Sequence, residues 1–272
     1  MLPAAPQLEQ VAGLSRKVAS RLGQGRRTVR GVNDLRAWLN ETDRLRAERV
    51  VELDSGFAVL DDTFANAHSL NKLVVTRRTS ATQVAADADL ALDHLPHRLV
   101  DVLDPELVPG APRGWTRHDG LLMTTNGPGV GSSAVLALTL QERQEVATAD
   151  WQRDEPHQHP DVWRQLGQRV QTVTRAATPT FLAVRRVDGR VVARADLYLR
   201  DGVAQVEEVL TDPGHRGRGH ASALVRHAVH AARRQGAQTV FLLADADDWP
   251  RQLYGRLGFV DGGRTAQLTR SA

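Results

Sequence analysis

The 272-residue chain contains no cysteine. Disulfides, thiolate nucleophiles, thiolate zinc sites and iron–sulfur clusters are therefore excluded. Lysine is almost missing as well. Only Lys17 and Lys72 occur, so arginine supplies nearly all the positive charge, and the formal net charge is only +3. Aromatic residues are scarce, and none falls in the basic stretch Arg16, Lys17, Arg21, Arg26, Arg27 and Arg30. Leu8, Val11, Leu14, Val18 and Leu22 recur through that region at helical spacing. The stretch reads as the solvated basic face of an amphipathic helix, and no nucleic-acid partner is expected. No apolar run approaches the ~18 residues of a membrane-spanning helix, so no membrane partner is expected. The first residues, Met1-Leu2-Pro3-Ala4-Ala5-Pro6, lack the charged-then-apolar pattern of a signal peptide. A cytoplasmic protein of one large or two ordinary domains is the expectation.

What is present is concentrated in one segment. An apolar strand with two acids, Val206-Glu207-Glu208-Val209-Leu210-Thr211, runs into Asp212-Pro213-Gly214-His215 and then Arg216-Gly217-Arg218-Gly219-His220-Ala221. Leu224, Ala228 and Ala231 follow at helical spacing, so the glycine loop opens onto a helix N-terminus. Such a terminus offers unpaired N–H groups and partial positive charge, which favour phosphate. Gly217 and Gly219 allow close backbone approach, and Arg216 and Arg218 add fixed charge. The pattern points to a pyrophosphate site.

Arg216-x-x-Gly219-x-Ala221 resembles the Arg/Gln-x-x-Gly-x-Gly/Ala signature of the GCN5-related N-acetyltransferases (GNAT). The surroundings agree with that family: Glu207-Glu208 ahead of the loop, Pro213 three residues before the arginine, and later Tyr254-Gly255-Arg256-Leu257-Gly258-Phe259. The resemblance covers about the last 130 residues and implies an α+β fold and acetyl-CoA as acetyl donor. It places the coenzyme on Val209, Leu210, Thr211, Arg216, Gly217, Arg218, Gly219, His220 and Ala221. It implies that the Val209 amide faces the thioester oxygen and the Thr211 amide the pantetheine arm. Glu207 falls where polyamine acetyltransferases of the family place a general base, and Tyr254 where the family has a tyrosine beside the coenzyme sulfur. Glu208 either holds a cationic acceptor or pairs with an arginine of the next strand. A β-bulge, common in the family here, would alter its direction.

Asn126–Ser133, rich in glycine and serine, reads as a linker between residues 1–125 and a catalytic domain at 134–272. The C-terminal half predicts two helices, over 141–149 and 161–174, then strands 180–186, 190–200 and 203–211 turned at Asp188-Gly189 and Asp201-Gly202. That order is the order of the GNAT fold. The first half repeats the same kinds of element. Helices are expected over 32–39 and 81–92, and strands over 49–53, 57–60, 72–76, 98–103 and 120–124. It lacks a glycine loop of the required spacing, so it reads as a degenerate GNAT-like domain or an αβ accessory domain without a coenzyme site.

Asp247 and Asp248 are expected to cap the helix that carries Tyr254, and Gly258 to end it. His157 and His159, like His227 and His230, provide two ligands per cluster without a third, and no metal is expected. Trp151, Asp154 and Glu155 are candidates for an aromatic and acidic wall around a cationic acceptor. The expected activity is transfer of acetyl to a primary amine of a small molecule or peptide, such as an antibiotic or peptide natural product. Attack is direct within a ternary complex, since a cysteine-linked route is excluded. Acetylation of a protein or ribosome-associated acceptor, and acetyl-CoA sensing without turnover, are the alternatives.

Overall fold

The Asp-Gly pairs set the first hairpins. Asp201 and Gly202 adopt φ 52 and 77, the double positive φ of a type I′ turn, and join β8 (Val191–Arg200) to β9 (Val203–Thr211) in two residues. Gly189, φ 84, closes the turn from β7 (Thr178–Arg185) into β8. The computed structural model describes residues 31–271, and the basic helix expected over Leu8–Leu22 lies outside them.

Around these hairpins the described residues form one sheet of 11 strands, ordered β1-β2-β3-β4-β11-β5-β10-β9-β8-β7-β6. The other strands are β1 (Arg49–Glu52), β2 (Gly56–Leu60), β3 (Lys72–Val75), β4 (His97–Val102), β5 (Thr116–Thr125), β6 (Leu136–Leu138), β10 (Thr239–Asp245) and β11 (Val260–Ser271). Each half contributes one parallel pair, β3 with β4 and β9 with β10. The halves also exchange strands: β5 lies antiparallel between β10 and β11, and β11 lies antiparallel between β5 and β4.

The helices are α1 (Val32–Arg46), α2 (Ala81–Leu92), α3 (Leu140–Asp154), α4 (Pro160–Gln168), α5 (His220–Arg234) and α6 (Pro250–Arg256). None is long and apolar enough to cross a membrane. Ser80 caps α2 by accepting from the Gln83 amide, and Thr139 with Glu142 forms a capping box on α3. The expected helix 161–174 divides into α4 and the 3₁₀ turns Arg169–Arg175. α5 buries Leu224, Val225, Ala228, Val229 and Ala232 on one face. α1 carries the first half onto the second: Leu35, Trp38 and Leu39 share a core with Phe181, Tyr198, Val203 and Phe241. The Trp38 indole meets Phe241 edge-on at 5.4 Å and donates to the Arg200 carbonyl, 3.3 Å. The polar end of α1 is thereby set against the middle of β9.

The linker is packed against α5. Val130 N–H donates to Arg226 O, 3.2 Å, and the Arg233 guanidinium holds the Gly127 and Thr125 carbonyls at 3.0 and 2.8 Å. A Cβ at Gly129 would stand 2.3 Å from the His230 backbone nitrogen, so glycine permits this approach.

Candidate active site

β9 pairs with β8 to its end at Thr211 but with β10 only over Val203–Gln205. Past that point the parallel strands part, and a cleft of about 610 Å³ opens. Val209, Leu210 and Thr211 form one wall, Arg216, Gly217, Gly219, His220 and Ala221 the floor, and Trp249, Leu253 and Tyr254 the opposite side. Of the residues expected to hold the coenzyme, Arg218 alone stands outside this lining, exposed, with Nη2 3.5 Å from Gly214 O. Gly217 and Gly219 have φ 72 and 79, and Gly219 is the N-cap of α5 with no side-chain cap. A Cβ at either would meet nothing within 4 Å, so backbone conformation rather than crowding calls for glycine. The first bond of α5 runs from Ala223 N–H to Gly219 O, 3.0 Å. The amides ahead of it have no partner within the helix and suit an anion.

At the corresponding junction of the first half, β3 to α2, four amides are already engaged within the protein. Thr76 and Arg77 amides both donate to Ser55 O, at 3.0 and 3.1 Å. The Thr79 amide donates to Leu107 O, 2.9 Å, and the Gln83 amide to Ser80 Oγ, 3.1 Å.

Where the cleft deepens, β9 bulges. Glu208 takes φ 54, and the β8–β9 register shifts between Arg194 and Asp196. The bulge lets both Glu207 and Glu208 line one cavity of about 260 Å³. The two carboxylates differ sharply. Burial first, then the charge of Glu208, pushes Glu207 up to about 7, while Gln205 Nε2 donates to its Oε1. Burial also opposes the charge of Glu208, but Arg169, Arg194 and Arg143 outweigh it and bring Glu208 down to about 2. Arg169 lies 2.6 Å from Oε1, and Arg194 and Arg143 lie 3.1 and 3.5 Å from Oε2. This is the pairing with an arginine of the next strand that the sequence left open for Glu208. Behind it Arg143 grips the fully buried Asp196 in two-pronged fashion, at 2.7 and 2.8 Å, and Tyr198 Oη donates to Asp196 at 2.9 Å.

Tyr254 is buried, and its hydroxyl is pushed up to about 12 by burial and then by the charge of Glu207. A left-handed Gly258, φ 87, ends its helix. Phe259 N–H donates to Tyr254 O and Gly258 N–H to Gly255 O, a Schellman motif. The rings of Tyr254 and Phe259 pack at 6.1 Å. Asp247 and Asp248 do not cap this helix as expected. Trp249 is the N-cap without a side-chain bond, and the Asp248 carboxylate accepts only from the adjacent Trp249 amide, 2.7 Å. Pro250 at the first helical position removes one donor that a cap would serve.

The far wall of the 260 Å³ cavity comes from the first half: Asp43 and Arg46 of α1, Lys72 of β3 and Asp101 of β4. Lys72 Nζ lies 2.9 Å from Asp43 and 2.6 Å from Asp101. Burial works against its charge, but the two carboxylates raise its pKa. Asp43, by contrast, is raised mainly by burial. Sequence reading missed this wall. Its signal was Lys72 itself, an ionisable residue opening the apolar run Leu73-Val74-Val75. Of the acceptor candidates, Trp151 lines the cavity. Asp154 does not and pairs instead with Arg153, 2.8 Å. Glu155 belongs to a neighbouring chamber.

His227 accepts from the Ser132 amide at 3.0 Å, and His159 from the Asp161 amide at 3.2 Å. Among the described residues no group of three or more His, Asp or Glu side chains is placed to hold a metal ion.

Residues 140–259 match the model of the Acetyltransferase (GNAT) family and form a domain of that family, whose members use acetyl-CoA. No curated protein sequence matches the chain. Among solved structures, a GCN5-related N-acetyltransferase from Kribbella flavida superposes with a TM-score of 0.58, covering 90% of this chain and 97% of that one at 20% identity. A functionally unknown conserved protein from Staphylococcus epidermidis gives 0.61 over 82% and 94% at 12% identity. A tandem GNAT protein from the clavulanic acid biosynthesis pathway gives 0.50 over 70% and 69% at 14% identity. At these identities the likeness is one of fold, and it reaches across both halves of the chain.

Proposed function

We propose that this GNAT chain is an acetyl-CoA-dependent N-acetyltransferase that acetylates a primary amine of a small molecule or peptide by direct attack in a ternary complex. The observation that carries the reading is the meeting of two spaces at one bulge. The coenzyme-sized cleft ends at Val209 and Tyr254, and the acceptor cavity begins at Glu207.

Acetyl-CoA bound in the cleft supplies an activated thioester. The loop amides ahead of Ala223, with Arg216, hold its phosphates, and the free edge of β9 from Val209 to Thr211 receives its arm. A lysine-like amine near pKa 10.4 is almost wholly protonated at neutral pH, so attack requires removal of a proton. Glu207, pushed up to about 7, is partly ionised there and matched to that task. Tyr254, pushed up to about 12, keeps its proton at neutral pH and is suited to donate a hydrogen bond to the departing sulfur, although the shift makes it a weaker acid than a free phenol. Arg169, Arg194 and Arg143 fix Glu208, so its role is to position the bulge rather than to bind the acceptor. Asp43 and Asp101 are matched by Lys72 and Arg46, so the opposite wall carries no net charge and leaves Glu207 as the group that meets the amine. A cavity walled by both halves accepts a small molecule or a chain end more readily than the face of a folded macromolecule.

The test is mass spectrometry of a panel of amines and short peptides incubated with protein and acetyl-CoA. Products heavier by one acetyl group are expected from wild type. Coenzyme binding with no acetylated product across the panel would favour acetyl-CoA sensing without turnover.

A further inference from the structure

We propose that a second chamber, adjoining the reaction cavity, binds an uncharged ring-shaped body of the acceptor. The acceptor class is then a primary amine carried on an aromatic or alicyclic ring system. The inference rests on the acetyltransferase reading above.

The two chambers adjoin, with Ser69, Trp151, Leu166 and Arg169 lining both. Size decides what each takes. The inner one, about 260 Å³, falls below the ~300–1,000 Å³ of typical small-molecule sites. It accommodates the amine-bearing head next to Glu207. The outer one, about 490 Å³, lies within that range. Ring and aliphatic surface from Trp151, Trp163, Val162, Leu166 and Pro96 makes up about half of its wall, and polar side chains such as Asn66 and Gln158 make up the rest.

These surfaces are fixed in place. Trp163 Nε1 donates to Glu155 O at 2.8 Å, and the His68 ring stacks on His97 at 3.6 Å. Across the chamber, the backbone and side-chain nitrogens of Asn66 donate to Gln165 Oε1 at 2.9 and 3.0 Å, tying the first half to α4. Charge at the wall is limited to Glu155 and Arg169, and Arg169 is committed to Glu208. A body with its own charge would find little compensation there, whereas a neutral ring gains stacking and burial.

The experiment is calorimetric titration of the full chain, saturated with coenzyme A, with phenethylamine and with butylamine. Wild type, Trp163→Ala and Trp163→Phe are compared. Phenethylamine is expected to bind wild type on the order of tenfold tighter than butylamine. Trp163→Ala should bring that ratio close to one with butylamine unchanged, and Trp163→Phe should keep most of it. Equal affinities in wild type, or a ratio that survives Trp163→Ala, would overturn the assignment. Acetylation, read separately by mass, reports on the transferase reading. Transfer to both amines with equal kcat/KM sinks the chamber and leaves the transferase. Ring-dependent binding without transfer supports the chamber and removes the transferase.

Discussion

Glu207 and Glu208 stand side by side at the bulge of β9, yet Glu207 is pushed up to about 7 and Glu208 brought down to about 2. Environment separates them: three guanidiniums surround Glu208, while Glu207 has burial and a like-charged neighbour. Two carboxylates driven apart in this way take different roles, one exchanging protons and one holding charge.

Glu207→Gln is therefore expected to lower kcat on the order of 10²–10⁴-fold with a lysine-like amine. In wild type, kcat/KM should rise through about pH 7 as Glu207 ionises, and the variant should lose that limb. The deficit should shrink as pH approaches the pKa of the amine. A pH-independent loss below ~3-fold would fall short of general-base catalysis and remove Glu207 from that role.

The same shift has a stability consequence of defined sign. The folded pKa of Glu207 lies above the unfolded one, so its protonated form is favoured in the folded state. Its contribution is fully present below the unfolded pKa and lost as pH rises through about 7. Glu207→Gln should accordingly raise Tm at pH 8 relative to wild type, on the order of 1 kcal/mol or ~2–4 °C, and change it little at pH 4. Thermal melts at the two pH values provide the check. An equal shift at both would contradict the ionisation account.

Tyr254→Phe keeps the ring that packs on Phe259 and the Schellman bonds of the backbone. Turnover should slow by at least ~10-fold if the hydroxyl acts as the acid, with acetyl-CoA affinity nearly intact. A loss of folding in place of turnover would mark the residue as packing only.

Arg143→Met leaves Asp196 charged and fully buried without its two-pronged partner. Removing one member of such a pair costs about 3–5 kcal/mol. Urea denaturation should show a lower midpoint with an unchanged slope. A midpoint within error of wild type would mean that the buried pair contributes no net stability.

Residues 133–272 expressed alone would lack β5, leaving the edges of β10 and β11 that it joins unpaired. Open strand edges favour association, and the fragment would also lose the Asp43, Lys72 and Asp101 wall. Poor solubility and weak acceptor binding are expected. A soluble monomeric fragment with full activity would refute the role given to the first half.

Legibility in the sequence followed how local each determinant was. The Asp201-Gly202 turn, the Gly217/Gly219 loop and the Gly258 helix end are each specified within a few residues, and each was readable. The exchange of β5 and β11 is not, because both strands are largely polar in sequence and their pairing is chosen by tertiary register. The last turns of α1 and α3 were missed for a related reason. Asn40–Asp43 and Asp150–Asp154 are largely polar in sequence, yet in the fold Thr42 is buried and Asp150 pairs with Arg194 at 2.9 Å. The acceptor wall unites residues 43, 72, 101 and 207, which no spacing rule connects.

The proposed function requires one coenzyme site, at the junction of β9 and α5. Calorimetric titration of the full chain with acetyl-CoA tests this most directly, in wild type and in Gly219→Glu. That substitution sets a carboxylate at the left-handed position where the pyrophosphate is expected. One coenzyme per chain, with binding abolished in the variant, is the predicted result. Two coenzymes per chain, or affinity unchanged by Gly219→Glu, would contradict it.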